Sequence, residues 1–512
     1  MIRDLANLGR LFAVGRTLAR HDALFVFERV GVSPVLLWPL RLFGGAEAAG
    51  RPGQRLARAL SEAGPSFIKL GQALSTRPDL IGEEIAEDLT ELQDRLPPFS
   101  GAEARAAIAR EFERPVEDLF DRFDDVAIAA ASIAQVHFAV AKDGREVAVK
   151  ILRPGIEEAF QRDLDLLFWI AEWLEWARPA WRRLKPVESL ETVAETVAME
   201  MDLRLEASAC AEMADNFKDD PDFAVPAVDW RLTGRRVMTT ARVGGIPLDD
   251  RAAVAAAGFD PQTVLAKAAA AFFRQVFRDG FFHGDLHPGN LFVRPDGGIV
   301  AVDFGIMGRL DIKTRRYLGE MLTGFLNRDY RRVAEIHFEA GWVPRHKSVD
   351  AFTQACRSIA EPILDRPQNE ISIARLLGQL FQITETFEME TQPQLLLLQK
   401  TMLVAEGSGR KLAPEANMWM LARPLIEDWV IAAMGPEARV REAVGSLAQT
   451  FERLPRLLDR IEETGEMLAD GRLKLHPETI AALKGGGRRR PRFAPIAATV
   501  LAIGLIAALL LV

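Results

Sequence analysis

Two stretches carry residues whose types and spacing suit phosphoryl transfer. In HGDLHPGNLFV, residues 283–293, Asn290 stands five residues after Asp285, the spacing of the H-R-D-x-x-x-x-N catalytic loop of kinases. An aspartate so placed faces the nucleophile, and the asparagine offers an amide oxygen to Mg²⁺. Thirteen residues beyond Asn290, Asp303 opens DFG and adds a second hard oxygen ligand suited to Mg²⁺. Upstream, Lys150 sits at the end of VAVK, where its cation can hold the α- and β-phosphates of ATP once a carboxylate fixes its position. Each feature alone is common. The ordered set, with DFG following Asn290 across a hairpin, is not.

Two parts that a protein kinase needs are missing. Where a glycine-rich loop should cover the phosphates, the chain reads AIAAASIAQVH (127–137). Alanine cannot adopt the left-handed conformations open to glycine, so Ala129, Ala130 and Ala131 predict a stiffer, differently shaped cover. Downstream of Asp303, GRLDIKTRRYLGEM runs straight into helix, with no APE and no long segment to seat a peptide. Thr314 reads as a helix-start residue. The G-x-G-x-x-G dinucleotide fingerprint is absent, which argues against a self-sufficient NAD or flavin enzyme.

The elements that must position these residues follow from periodicity. GREVAVKIL (144–152) alternates and is rich in valine, so it reads as a strand. LFVRPDGGIVAVDFG (291–305) reads as a hairpin around Pro-Asp-Gly-Gly, and RRVMTTARVGGIPL (235–248) as strand then loop. Residues 54–95 read as helices broken at GPS and RP, 186–217 as one long helical run starting near Pro186, and 311–483 as mostly helical. The predicted class is α+β. Its layout is a helical extension (1–100), a small mixed lobe (101–245), a mainly helical lobe (246–484) and a basic linker with an apolar tail (485–512).

Composition narrows the class further. At 512 residues and 49% hydrophobic content, the chain can bury more than one core. Its net charge of −8 and the lack of any basic-aromatic ladder give no sign of a nucleic-acid partner. Cys210 and Cys356 are isolated, which fits small core residues in a reducing compartment. FAPIAATVLAIGLIAALLLV (493–512) carries no charge and follows Arg488, Arg489, Arg490 and Arg492. Twenty residues at about 1.5 Å each span about 30 Å, the thickness of a bilayer core. A single transmembrane helix with its arginines and the catalytic body on the cytoplasmic side is expected. The apolar VSPVLLWPLRLF (32–43) is too short to span a membrane and fits a surface contact or a packed linker. The remaining histidines have no cluster partners; His137 and His287 read as hydrogen-bonding organisers.

Taken together, FIKLGQALSTRPDL (67–80), AAASIAQVH (129–137), VAVKILRPGI (147–156), EMDLRLEA (200–207) and HGDLHPGN (283–290) resemble the UbiB family of atypical, protein-kinase-like ATPases that support ubiquinone biosynthesis. The resemblance covers roughly residues 30–430, and the apolar tail is similar to that of bacterial members. It implies a bilobal kinase-like fold with ATP and Mg²⁺ as cofactors. Membrane lipids, polyprenyl-phenol or quinone intermediates and other ubiquinone-biosynthesis proteins are the partners implied, at the cell inner membrane. It also implies that Lys69 and Gln72 belong to an extension folded over the site where a peptide would otherwise lie. Ala129, Ala130, Ala131 and Ser132 would form the nucleotide loop, and Lys150 would pair with Glu206. Glu200 and Asp202 would engage Lys69. On a continuous helix Asp202 and Glu206 share a face while Glu200 is turned by about 120°, so one helix can serve two lysines. A historical family name, 2-polyprenylphenol 6-hydroxylase, finds no support in these residues.

The expected function is a membrane-anchored protein that hydrolyses ATP or phosphorylates a small, lipid-like acceptor. A small-molecule kinase of the aminoglycoside or choline kinase type and a non-catalytic lipid-binding scaffold are the alternatives.

Overall fold

Val147, Val149 and Ile151 alternate with Ala148 and Lys150, and this pattern of period two folds as a strand with the three branched side chains fully buried. Lys150 therefore projects from the opposite face. The computed structural model describes residues 2–26, 38, 40–44, 50–75, 81–89, 92, 97–177, 186–362, 382–384, 386–389, 392–416, 421, 424–426 and 429–431. All belong to one compact unit, Met1–Ala433; the second unit, Met434–Val512, lies outside the described residues.

Four helices come first: α1 (Ile2–Arg20), α2 (Pro52–Ala63), α3 (Pro65–Ser75) and α4 (Glu83–Leu89). They share a core that includes Leu18, Leu56, Leu60, Phe67 and Leu89. Helices α5 (Gly101–Phe112) and α6 (Val116–Leu119) lead into β1 (Phe120–Phe123), β2 (Ala129–Ala130), β3 (Ala134–Ala141) and β4 (Glu146–Leu152). α7 (Ile156–Ala177), α8 (Pro186–Glu200) and α9 (Leu203–Asn216) follow, then β5 (Phe223–Ala224) and β6 (Val237–Ala241). Strands β1, β3, β4 and β6 form an antiparallel sheet in that order, with β2 hooked onto β3. α7 closes the first core with Leu166, so the N-terminal helices pack on a helix that leaves directly from the Lys150 strand.

The second half begins with β7 (Ile246–Pro247), α10 (Arg251–Ala256) and α11 (Pro261–Phe273). The short strands β8 (Phe281–His283), β9 (Leu291–Val293), β10 (Ile299–Ala301) and β11 (Met307–Arg309) are followed by α12 (Ile312–Leu326), α13 (Tyr330–Glu339), α14 (Val349–Ala360) and α15 (Pro393–Leu412). β9 and β10 are the hairpin read from Pro-Asp-Gly-Gly, with Gly297 at φ 77° in the turn. β11, which pairs with β8, was not foreseen; three residues are too few to show a period. Asp311 caps α12 by accepting the N–H of Thr314, so Thr314 sits in the first turn as expected. Cys210 and Cys356 are both buried.

The run 186–217 is two helices rather than one. α8 ends at Glu200, Asp202 is extended (φ −117°, ψ 92°), and its carboxylate accepts the N–H of Arg204 at 3.1 Å to start α9. An aspartate can satisfy a helix-start N–H with its own side chain, and here that local bond breaks the run. The continuous-helix arithmetic for Glu200, Asp202 and Glu206 therefore does not apply.

Among the described residues no helix is long and apolar enough to cross a membrane; the tail 493–512 lies outside them. Within 32–43, Trp38 and the pair Leu42–Phe43 are exposed.

The cap can be tested directly. Asp202→Ala should cost about 1 kcal/mol in urea unfolding, while Asp202→Asn, which also caps helices, should stay close to wild type.

Candidate active site

Lys150, presented by β4, meets two carboxylates. Its Nζ lies 2.7 Å from Glu206 Oε1, one turn into α9, and 2.9 Å from Asp303 Oδ1, just after β10. The lysine and Glu206 are largely buried; the Asp303 side chain is 48% exposed. Burial works to lower the Lys150 pKa, but the Asp303 and Glu206 charges outweigh it and hold the ammonium above its ordinary range. The Lys150 charge holds the Asp303 carboxyl well below the usual carboxylate range. Burial pushes the Glu206 carboxyl up to about 7, the Asp303 charge adding to the rise and Lys150 opposing it.

A second lysine–carboxylate pair lies beside the first. Lys69 of α3 approaches Glu200, the last residue of α8, at 3.0 Å, and both side chains are mostly buried. The Lys69 charge also contributes to lowering Asp303, so both lysines act on the same carboxylate. Gln72 is half-buried three residues further along α3. Asp202 is a correction to the expected pairing: its carboxylate binds Arg204, with Nη2 at 2.6 Å and Nε at 2.9 Å, and caps α9. The helix break explains the change, because it turns Asp202 back onto its own backbone.

The loop after β8 is pinned through its backbone. The His283 N–H donates to Gln275 Oε1 at 3.0 Å, the His283 Nδ1 accepts the N–H of Asp285 at 3.1 Å, and His283 Nε2 donates to the Val302 carbonyl at 3.1 Å. One neutral imidazole therefore links Asp285 to the residue before Asp303. Burial lowers the His283 pKa, in keeping with that neutral form. Asn290 donates from Nδ2 to the Asp285 carbonyl at 3.0 Å, and its own carbonyl accepts the N–H of Val302 at 2.9 Å. Asp285, Asn290 and Asp303 are thus tied into one network. Asp303 is left-handed at φ 61°, a conformation that costs a non-glycine residue about 1–3 kcal/mol unless its surroundings enforce it. Here the Val302 bonds on one side and Lys150 on the other do so.

The alanine-rich segment is partly strand. Ala129 and Ala130 pair with Val136 and Gln135, and the Ala131 N–H donates to the Ala134 carbonyl at 2.7 Å. The Ala131 carbonyl accepts from Arg153 at 2.9 Å (Nη2) and 3.1 Å (Nε). Ser132 is fully buried, and its hydroxyl has no hydrogen-bond partner among the described residues. His137 is held by the Asp124 carbonyl at 2.8 Å and Gln135 at 2.7 Å, and His287 accepts the N–H of Gly289. A cavity of about 490 Å³ is lined by Arg153 and the start of α7, and none of Lys150, Glu206, Asp285, Asn290 or Asp303 lines it.

Two supporting residues were not anticipated. Arg153 follows directly on the Lys150 strand and fixes the alanine loop. Gln275, 1% exposed, lies in a π-helical turn (Arg274–Asp279) that continues α11. A single uncharged polar residue between the apolar pairs of FFRQVF was the available signal.

The Glu206 shift sets a pH dependence. A carboxyl that titrates near 7 when folded and lower when unfolded stabilises the fold most below its unfolded pKa, and that contribution is lost as pH rises through about 7. Glu206→Gln removes it. In thermal unfolding without nucleotide, the Tm of wild type minus that of Glu206→Gln should therefore fall between about pH 5 and about pH 8.

With this geometry in place, similarity to known proteins becomes informative. Residues 91–337 match the ABC1 atypical kinase-like domain, and residues 356–417 match the UbiB helical domain. A Marinobacter nauticus protein named Probable protein kinase UbiB is 40% identical over 463 residues, which cover 88% of this chain and 84% of that protein. A Pseudomonas entomophila protein of the same name is 42% identical over 479 residues, 92% of this chain and 88% of that one. Among solved structures, Mycobacterium tuberculosis Rv3197 in complex with erythromycin superposes with a TM-score of 0.52 at 27% identity, covering 72% of this chain and 93% of the other. The mixed helix-and-sheet architecture is the protein-kinase-like fold, and the chain belongs to the UbiB family of atypical kinases.

Proposed function

We propose that this protein binds Mg-ATP between Lys150 and the loops bearing Asp285 and Asp303, and hydrolyses it or phosphorylates a small, lipid-like acceptor in support of ubiquinone biosynthesis. The observation that carries the reading is the position of Lys150 Nζ between Glu206 and Asp303. Glu206 keeps the lysine in place while its cation takes the α- and β-phosphates. Asp285 orients the attacking water or hydroxyl.

The residues fit Mg²⁺. Asp303 is ionised and half exposed, and Asn290 spends its amide N–H on Asp285, which leaves its oxygen as a donor. Two protein oxygens suit this ion, which takes further ligands from phosphates and water. When bound, it supplies charge neutralisation at the transferring phosphoryl group. The alanine loop, including Ser132, covers the nucleotide.

A polypeptide acceptor is disfavoured by the chain itself. Eight residues (304–311) separate Asp303 from α12, and three of them are the strand β11. Lys69 on α3, one turn before Gln72, is close enough to act on Asp303. The tail 493–512 would anchor the protein in the cell inner membrane, with the catalytic body cytoplasmic and near lipid-phase polyprenyl-phenols and other ubiquinone-biosynthesis proteins.

The test is release of phosphate from ATP by full-length protein, with and without anionic vesicles and a phenolic quinone precursor. Lys150→Ala and Asp303→Asn should each lower turnover by about 100-fold or more. Phosphate release without an acceptor would mark an ATPase; strict dependence on one alcohol would mark a small-molecule kinase. Full quinone production in cells by Asp303→Asn would overturn the catalytic reading in favour of a scaffold. Lys69→Ala should change nucleotide affinity; unchanged affinity and turnover would remove Lys69 from the site.

A further inference from the structure

The backbone of the His283–Asp285 loop is held by one side chain from outside the kinase-like domain. Thr401, fully buried in α15, donates from Oγ1 to the Gly284 carbonyl at 2.9 Å. Leu397, one turn earlier on α15, packs on the same glycine: a Cβ at Gly284 would lie 3.1 Å from Leu397 Cδ1 and 2.8 Å from Ile306 Cγ2. Gly284 is thus gripped from both sides, with its N–H donating to the Ile306 carbonyl at 2.8 Å. Only a residue without a side chain fits there. The region matched as kinase-like ends at residue 337, whereas Thr401 lies in the segment matched as the UbiB helical domain.

The hydroxyl has a second acceptor. Its single proton lies between the Gly284 carbonyl and the Leu397 carbonyl, 2.8 Å away in the preceding turn of α15. Other local bonds account for the neighbouring loop groups: His283 N–H on Gln275, Asp285 N–H on His283, and the Asp285 carbonyl on Asn290. Without Thr401, the Gly284 carbonyl would be left as a buried acceptor with no donor among the described residues, a state that favours reorganisation of the loop.

We propose that Thr401 is a positioning residue: through its bond to Gly284, the helical domain fixes the backbone that aims Asp285. This rests on the reading of Asp285 given above. Thr401 bonds only the Gly284 and Leu397 carbonyls and neither Lys150, Asn290, Asp303 nor the alanine loop, the groups assigned to Mg-ATP, so the effect should appear in turnover and not in nucleotide affinity.

Thr401→Val keeps the side-chain shape and removes the donor. In full-length protein, kcat for ATP should fall about tenfold, while the Kd for a non-hydrolysable Mg-ATP analogue stays within about twofold, a loss of about 1.4 kcal/mol in the transition state alone. Thr401→Ser, which retains the hydroxyl, should recover most of the turnover. Wild-type kcat in Thr401→Val, or equal losses in the Val and Ser variants, would overturn the proposal, as would parallel loss of affinity and turnover. Should the valine variant fail to fold, Thr401→Ser against Thr401→Ala poses the same question, and equal turnover in those two would overturn it. Asp285→Asn separates the two levels. If it abolishes turnover while Thr401→Val keeps the wild-type kcat, the positioning role alone falls. If Asp285→Asn turns over normally, the reading of the loop falls and the positioning role with it.

Discussion

A mostly buried lysine cation must be matched by opposite charge, and here it is matched twice. Lys150 lies between Glu206, which arrives on a helix of the first half of the chain, and Asp303, which arrives on a loop of the second. Removing water from such a cluster strengthens every charge interaction within it and raises the cost of leaving any member unpaired. The three groups are not equivalent. Glu206 is buried and its carboxyl is pushed up, whereas Asp303 is half exposed and firmly ionised. The exposed partner is therefore the one that can exchange the lysine for a ligand, and the buried partner the one that retains it. Lys69 and Glu200 add a second pair beside the first, so the N-terminal helices are tied electrostatically to the same centre.

Around this centre the fold supplies backbone order more than side-chain bulk. His283, Gln275, Asn290 and Val302 join β8, the loop after it and the β9–β10 hairpin through hydrogen bonds, most of which have a main-chain group on at least one side. Such bonds leave little freedom for the segment that carries Asp285, and they hold Asp303 in a conformation it would not take alone. Arg153 does for the alanine loop what Asn290 does for the aspartate loop, binding a carbonyl that would otherwise lack a donor. Preorganisation of this kind suits a reaction in which most of the work is placing charges and reactants.

Much of this centre was legible in the sequence, for physical reasons that differ by residue. Lys150 was readable because a half-buried strand must alternate. Asp285, Asn290 and Asp303 were readable because the hairpin and loop around them fix a spacing. Lys69, Glu200 and Glu206 became candidates only through resemblance to a family, since an ion pair between residues as far apart as Lys150 and Glu206, 56 positions, leaves no local pattern. Asp202 was assigned to Lys69 through the same resemblance, and the continuous helix read through it left out the side-chain cap that competes with helix at that position. β11 and the π-helical turn before β8 are shorter than any window in which a period can be counted. Thr401 follows Gln399 and Lys400 as one of several polar residues in α15, and nothing in the chain's order says that it faces Gly284. The apolar tail is plain in composition, and it lies outside the described residues.

The most direct measurement of the lysine–carboxylate centre is the Mg²⁺ dependence of equilibrium binding of a non-hydrolysable ATP analogue. In the wild-type chain, affinity should rise with Mg²⁺ by about tenfold or more, and Asp303→Asn should remove that rise while leaving the fold intact. Binding that ignores Mg²⁺ in the wild type, or a Mg²⁺ response that survives in Asp303→Asn, would contradict a nucleotide site built on Lys150, Glu206 and Asp303.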